Sequence, residues 1–540
     1  MKIKLKEYND KEKYIKLENK NKYDEIHIKP KPTNLLLVLL LFTIFLIILI
    51  IFIIKTFDIN EFNKPKNYII CEQGYKLING KCEINYTFKA IFYTDFENEK
   101  VHIINTNPKN IIEMIIDNKK IQPWIFYTFP NPGNHTIYFL LNITNPDIYT
   151  NDRDIEKYRI IDSLSALFYK NKKMISVHFS PIFKYHDINI INVSYMFYDC
   201  SSLIFIDFSN FNTRYLKNMT GMFYGCSSLT SINLQNFEVQ NVIEMDYLFS
   251  YCSSLTSINL SHFNTTNLQS MKGMFFGCIS LLTLDLSNFN TNKVIDMSTL
   301  FYQCKSLLKI DLSNFNTSNV IHMFKMFTQC SSLSSIDISH FNTEKVTDMN
   351  NFFCGCKSLT YINISNFDTK NVNNLWGFFN DCKSLKKIDI SNFNTKKVTS
   401  LNYMFYGCNS LNSINLYNFD TQNVKEMIFM FADCNNLEYV NVSSFNTENV
   451  WDLSYMFNGC TSLTSIDLSN FITPNIKDMS RMFFNCKTLN YLDISGFEKK
   501  SNLSIILFDN IPSNGTIKIK KEFLNKVNGN ILSNWNIIFI

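Results

Sequence analysis

Residues 304–329 read CKSLLKIDLSNFNTSNVIHMFKMFTQ, and units of this 26-residue type recur along most of the chain. The first residue of the unit is one of twelve cysteines that follow each other at intervals of 26, from Cys200 to Cys486. Counting the cysteine as position 1, position 4 is Leu and position 12 is Phe in all twelve units, and position 24 is Phe in the eleven complete ones. A fixed period of this length predicts a repeat architecture.

Each unit contains two apolar patterns separated by turn residues. Positions 4 to 9 read L-x-x-I-x-L, an alternation typical of a short strand. Positions 17, 20, 23 and 24 are apolar, a spacing typical of one face of a short helix. Asn and Ser between them favour a turn. We therefore predict an α/β solenoid of twelve coils, in which the phenylalanines of positions 12 and 24 form two internal spines.

The repeats also resemble a known family. The stretch CSSLTSINLSHFNTTNLQSMKGMF at residues 252–275 and its copies resemble the leucine-rich repeats of bacterial surface protein A-like proteins. They are more closely similar to the 26-residue repeat of mycoplasma and protist surface proteins, over about residues 174–499. The resemblance implies a leucine-rich-repeat solenoid on the cell surface, with a role in adhesion or partner binding and no established function.

An apolar run precedes the repeats. Residues 35–54 read LLLVLLLFTIFLIILIIFII, with Thr43 as the single polar side chain. Twenty residues at about 1.5 Å each span the hydrocarbon core of a bilayer, so we predict a transmembrane signal anchor. Residues 1–33 hold ten Lys against six acidic residues, which places them in the cytosol of a single-pass type II plasma membrane protein with an extracellular C-terminal part. Most of the net charge of +5 lies in this tail, so no nucleic-acid partner is expected.

The remaining sequence completes the predicted domain order. Cys71 and Cys82 frame a short loop that we expect to be closed by a disulfide outside the cell. β-Branched and aromatic runs after residue 84 predict a small sandwich-like β domain. The predicted boundaries are a cytosolic tail (1–33), the anchor (34–54), a juxtamembrane stalk (55–83), the β-rich domain (84–164), the solenoid with a divergent N-terminal cap (165–499) and a C-terminal cap (500–540).

The twelve repeat cysteines leave two interpretations open. Neighbouring ladder cysteines should lie about 5 Å apart, within the range for disulfides. Alternatively, all twelve are buried thiols that act as small apolar residues. A metal site is not expected, because identical cysteines in a row face one direction and cannot surround an ion.

Enzymatic motifs are absent from the sequence. No P-loop, H-E-x-x-H or G-x-S-x-G pattern occurs, and no cofactor is expected. Asp152 and Asp154 form a D-x-D, which together with one membrane anchor leaves a lumenal glycosyltransferase as an alternative. The other acidic residues follow the repeat pattern instead of gathering at one place, and we therefore predict a non-enzymatic protein.

The candidate binding residues lie on the predicted strand. Position 8 is Asp or Asn in every unit and alternates with inward positions 7 and 9, so it should face outward. This polar strip is either a solvated face or a binding surface for an extracellular protein or glycan; a receptor signalling through the short tail is the alternative function. The candidate binding residues are Asp285, Asp311, Asp337, Asp389, Tyr361 and Tyr439, and the candidate glycosylation sites are Asn85, Asn134, Asn142 and Asn264.

Overall fold

The computed structural model describes residues 3–4, 16–17, 75–78, 81–84, 87–106, 111–141, 163–180, 190–498, 507–524 and 532–540. For the first four segments only the backbone is described. The chain forms two compact units, residues 1–70 and residues 71–540. In the first unit, β1 (Ile3–Lys4) pairs antiparallel with β2 (Lys16–Leu17). In the second, β3 (Tyr75–Ile78) and β4 (Lys81–Ile84) pair in the same way.

Several sequence predictions fall on other parts of the chain. The predicted transmembrane helix of residues 35–54 lies outside the described residues. Among the residues that are described, no helix is both long and apolar enough to span a bilayer. The side chain of Cys82 is not described, and four further candidates lie outside the described residues altogether: Cys71, Asn85, Asn142 and the Asp152–Asp154 pair.

The predicted β-rich domain is joined to the solenoid by hydrogen-bonded strands. Its central sheet has six strands, in the order β12-β11-β5-β10-β7-β8, and β6 pairs separately with β9. Strand β11 is antiparallel to β5 but parallel to β12, so the sheet changes direction where the solenoid begins. These strands are β5 (Phe88–Thr94), β6 (Glu99–His102), β7 (Ile111–Ile116), β8 (Lys119–Ile121), β9 (Phe126–Phe129), β10 (Gly133–Leu141), β11 (Met174–Phe179) and β12 (Phe205–Asp207).

The repeats form a β-solenoid of about thirteen turns, and the prediction of an α/β solenoid was wrong. Among the described residues the one helix is α1 (Lys521–Leu524), which lies after the repeats. The apolar positions 17, 20, 23 and 24 are buried as expected, but the chain reaches them through consecutive turns.

Backbone hydrogen bonding explains why no helix forms there. In an α-helix each amide donates to the carbonyl four residues earlier. Here alternate amides donate to the next coil, as Gly221 N–H does to Asp246 C=O at 2.7 Å and Phe223 N–H does to Leu248 C=O at 3.0 Å. The amide between them, that of Met222, donates three residues back within its own coil, to Met219 C=O at 3.1 Å. The return segment, positions 17 to 26 of each unit, is thus hydrogen-bonded to the neighbouring coil through every second amide.

Positive backbone angles make this path possible. Positions 22 and 26 have φ above zero in every complete coil, for example 58° at Gly221 and 74° at Gly225. Two left-handed residues four positions apart are incompatible with a continuous right-handed helix. The apolar spacing at positions 17 to 24 therefore reflects two successive turns.

The strand segments stack in parallel register. Leu284 faces Ile310, and Asp285 faces Asp311, across one such pair. After the last full repeat, two strands of the C-terminal cap continue the same ladder. The strands are β13 (Thr283–Asp285), β14 (Lys309–Asp311), β15 (Ser413–Asn415), β16 (Tyr439–Asn441), β17 (Ser465–Asp467), β18 (Tyr491–Asp493), β19 (Thr516–Ile519) and β20 (Asn536–Phe539).

Stacked identical residues form the core, which confirms the two predicted phenylalanine spines. At position 24, Phe275 and Phe301 lie with ring centroids 5.9 Å apart and nearly parallel planes. At position 12, Phe263 and Phe289 are stacked at 6.3 Å. All the described phenylalanines at these two positions are buried. The large rings fill each coil, so the solenoid needs no separate globular core.

Candidate functional site

The outer face of the strand segments carries the predicted site. In β14 the middle residue, Ile310, is buried while Lys309 and Asp311 on either side are exposed. The same alternation occurs in β13, β15 and β17. Positions 6 and 8 therefore form two outward columns along the solenoid, as the period-2 pattern predicts.

Three consecutive coils place an aspartate at position 8. Asp285 and Asp311 are directly paired in register, and Asp337 follows in the next coil and is bridged to Asn363. All three side chains are exposed. We call Asp285, Asp311 and Asp337 the acidic strip.

Local hydrogen bonds keep the strip ionised. The side chain of Asp285 accepts the backbone N–H of Ser287 at 2.9 Å, and Asp311 does the same with Ser313 at 2.9 Å. Hydrogen bonds from Ser287 hold the pKa of Asp285 below its usual range, although the negative charge of Asp311 acts to raise it. The pKa of Asp337 is lowered in the same way by Ser339. The strip thus carries three adjacent negative charges at neutral pH.

The other predicted binding residues lie farther along the same face. Asp389 is exposed, and Ser391 lowers its pKa, but Asn363 separates it from the strip. Tyr361 is 63% exposed at position 6 in the coil next to Asp337. Tyr439 is 55% exposed and lies three coils beyond Tyr361, where its backbone pairs with Ser413. The structure therefore brings together the acidic strip and Tyr361, and leaves Asp389 and Tyr439 apart.

Two exposed leucines near the acidic strip were not among the predicted binding residues. Leu282 and Leu308 occupy position 5 in the coils of Asp285 and Asp311 and are 46% and 53% exposed. Most other coils have Thr, Ser, Asn or Lys at this position, so the departure from the repeat was visible in the sequence. The strip thus has an apolar margin.

The ladder cysteines are free, which decides between the two interpretations. All twelve are buried thiols. Each donates to the carbonyl of a phenylalanine about one turn earlier in the chain, for example from Cys304 Sγ to Phe275 O, 29 residues earlier, at 3.2 Å. Burial raises the pKa of Cys304 well above its ordinary value, so the thiol is unreactive.

Other predicted or possible sites are less organised. Asn134 and Asn264 are exposed, as glycan attachment requires. Within the described residues no group of three or more His, Cys, Asp or Glu side chains could hold a metal ion. A polar depression of about 690 Å³ lies on the turn side of the first coils, lined by residues that include Arg214, Glu238 and His262.

Comparison with known families places the chain. The model of a family described as "Mycoplasma protein of unknown function, DUF285" matches residues 162–282, 252–336, 279–363, 322–436 and 413–506. Together these matches cover more than half of the chain. The chain belongs to this family. The repeat resemblance seen in the sequence is thereby confirmed, and the family description assigns no activity.

Two solved structures show distant similarity to this chain. A leucine-rich-repeat protein of Leptospira interrogans is 13% identical, over 64% of this chain and 88% of that one, with a TM-score of 0.20. The functional domain of InlJ from Listeria monocytogenes, described as including a cysteine ladder, is 15% identical over 64% and 74%, with a TM-score of 0.17. No curated protein is similar enough in sequence to count as a match.

Proposed function

We propose that this protein is a non-enzymatic adhesion or recognition protein of the cell surface that binds a protein partner through its strand face. The observation that carries the proposal is the acidic strip. Like charges in register repel each other by about 1 kcal/mol per pair in water. Asn replaces Asp at position 8 in five other coils, including Asn233 and Asn259, so the fold does not require this repulsion.

The surroundings of the strip favour a basic protein segment as the partner. Tyr361, Leu282 and Leu308 supply exposed apolar area next to the charges. Aromatic and aliphatic contacts combined with complementary charge are typical of protein recognition surfaces.

Replacing the strip tests this proposal. The full-length protein, displayed on cells, should capture a partner that the triple variant Asp285→Asn, Asp311→Asn, Asp337→Asn binds at least about tenfold more weakly, with a steeper salt dependence for the wild type. A matched control replaces Asp368, Asp420 and Asp467 by Asn, the residue that other coils carry at those positions. Equal binding by the strip variant and the control would contradict the proposal.

We also propose that the solenoid faces the outside of the cell, in the type II orientation expected from the lysines of residues 1–33. The family's surface-type repeats support this location. A tag after Ile540 should then be labelled by antibody on intact cells, whereas a tag before Met1 should require permeabilisation. Labelling of the N-terminal tag alone would reverse the orientation.

A further inference from the structure

A second surface of the solenoid departs from its repeat pattern at positions 22 and 26. In the first coils, position 22 alternates between tyrosine and glycine, in the order Tyr195, Gly221, Tyr247 and Gly273. Tyr251 at position 26 is likewise followed by a glycine one coil later. The three tyrosines have positive φ, 57° at Tyr195, 54° at Tyr247 and 58° at Tyr251.

Each of these tyrosines covers the glycine of the next coil. A Cβ atom added to Gly221 would lie 2.7 Å from a ring carbon of Tyr195. The corresponding distances are 2.5 Å between Gly273 and the Tyr247 ring and 2.8 Å between Gly277 and the Tyr251 ring. The absence of a side chain at the glycine therefore lets the ring extend along the solenoid surface.

Two further tyrosine rings lie beside those that cover the glycines. Tyr198 and Tyr224 stack on each other, with centroids 4.5 Å apart and planes within 8°. Tyr195 meets Tyr198 at 69°, and Tyr251 meets Tyr224 at 65°. Burial raises the pKa of Tyr224 to about 12, with the neighbouring tyrosines contributing. We call Tyr195, Tyr247 and Tyr251 the tyrosine floor; the stacked pair Tyr198 and Tyr224 lies beside it.

The fold does not require tyrosine at these places. Coils further along hold Lys325, Asn351 and Gly377 at position 22, in the same left-handed conformation, before aromatic residues return there at Tyr403, Phe429 and Tyr455. A bulky residue with positive φ brings its Cβ into close contact with the backbone, which glycine avoids. The sequence thus carries strained tyrosines where the repeat itself accepts smaller or polar residues.

The composition around the floor favours a ligand that is polar and uncharged. No aliphatic residue occupies positions 21, 22, 25 or 26 in these first coils; Ser, Thr, Gly, Asp and Lys accompany the aromatic residues. The nearby charges are of both signs, since Asp199 pairs with Lys172 at 3.3 Å and Lys272 lies 5.9 Å from the Tyr247 ring. Asp246 and Glu244 also lie near Tyr195, so the surface disfavours an anionic ligand.

We propose that Tyr195, Tyr247 and Tyr251 form a platform that binds an uncharged, extended glycan chain, on a surface distinct from the acidic strip. Sugar rings present C–H faces that pack on aromatic rings and hydroxyls that bond to the neighbouring polar groups. Tyr195 and Tyr247 are two coils apart, roughly 10 Å at the spacing of stacked strands. This is of the same order as the disaccharide repeat of an extended β-linked chain, so alternate sugars can rest on the two rings.

The test measures binding of chitohexaose and cellohexaose to the full-length protein by titration calorimetry. Tyr195→Gly and Tyr247→Gly introduce the residue that neighbouring coils carry, and each should lower the affinity at least about tenfold without lowering the melting temperature. The matched control is Tyr403→Gly, at the same position of a later coil, where the ring instead stacks on Phe429 at 5.2 Å. This control should bind both sugars as the wild type does.

The outcomes separate this proposal from the strip proposal. The triple strip variant should retain full sugar binding, and the glycine variants should retain capture of the protein partner. Failure of the wild type to bind either hexasaccharide, or an equal loss in Tyr403→Gly, would overturn the platform. Loss of the protein partner on Tyr247→Gly, with no sugar binding, would instead assign this surface to protein recognition.

Discussion

Left-handed residues set the shape of each coil at the scale of single residues. Positions 22 and 26 have positive φ whether they hold glycine, tyrosine, asparagine or lysine. Glycine adopts this conformation freely, whereas in other residues the close contact between Cβ and the backbone costs free energy. Residue choice at these two positions therefore tunes the stability of individual coils.

Thr299 is the position where this cost should be easiest to relieve. It is β-branched, has φ of 56°, and its hydroxyl has no hydrogen-bond partner among the described residues. Thr299→Gly should stabilise the protein by about 1–2 kcal/mol in chemical denaturation. Thr347→Gly is the control, since Thr347 lacks positive φ, and it should destabilise by about 1 kcal/mol. Destabilisation by both variants to the same extent would contradict the left-handed assignment.

Cysteine reactivity also belongs to the residue scale. Cys354 is half-buried, whereas the twelve ladder thiols are fully buried. Native protein treated with iodoacetamide should be alkylated at Cys354 before any ladder cysteine, as read by peptide mass spectrometry. Burial raises the pKa of Cys354 to about 11 from its ordinary 9.0, so its alkylation rate should keep rising as the pH approaches 11. Rapid alkylation of ladder cysteines in folded protein would contradict their burial.

Ladders of identical side chains hold the coils together at the scale of elements. The buried Thr369 hydroxyl donates to Asn394 C=O at 3.0 Å and accepts Asn394 N–H at 2.7 Å, and the equivalent threonines repeat this link. With the sideways amides of the return segment, these bonds replace the intrahelical bonds that a helical coil would have.

Breaking one threonine link should cost more than its small volume suggests. Thr369→Val keeps the shape but leaves the Asn394 backbone groups without this partner, so the free energy of unfolding should fall by about 1–3 kcal/mol. Thr360→Val, at an exposed position where the hydroxyl makes only a long hydrogen bond of 3.5 Å to Ser334 C=O, should change it by less than about 0.5 kcal/mol. The comparison is read from urea unfolding midpoints, and equal effects would show that the ladder bond contributes little.

The strand, the turn and the phenylalanine spines could be predicted from the sequence, because alternation at positions 7 to 9 and invariant Phe both report burial directly. The absence of a helix could not be predicted, since two successive turns bury positions 20, 23 and 24 as a helix would. A signal was present, because glycine recurs at positions 22 and 26, as in Gly221 and Gly225. The outward aspartates followed from the same alternation, whereas the tyrosine platform depends on backbone angles and on the glycine one coil away.

Within the compact unit of residues 71–540, the described residues form one stack from the N-terminal sheet to the C-terminal strands. Phe88 links the two parts at the N-terminal end, since its ring contacts Phe139 in the sheet at 4.9 Å and Phe168 in the first turn at 5.1 Å. The antiparallel strands thus close the end of the solenoid and protect its edge from pairing with other chains.

Removing this link should affect the entire chain. Phe88→Ala should lower the free energy of unfolding by about 3–5 kcal/mol and promote association, because it opens a cavity at the covered end. Phe96→Ala is the control, since Phe96 is 71% exposed, and it should be nearly neutral. Calorimetry combined with light scattering measures both effects, and a monomeric Phe88→Ala protein with unchanged stability would contradict a capping role.

The repeats form a β-solenoid whose coils return to the strand side without a helix. Far-UV circular dichroism of the compact unit, residues 71–540, tests this most directly. We predict a spectrum with almost no helical contribution, because the return segments are turns bonded sideways. Minima at 208 and 222 nm corresponding to helix over positions 17–24, about a third of every coil, would contradict the account.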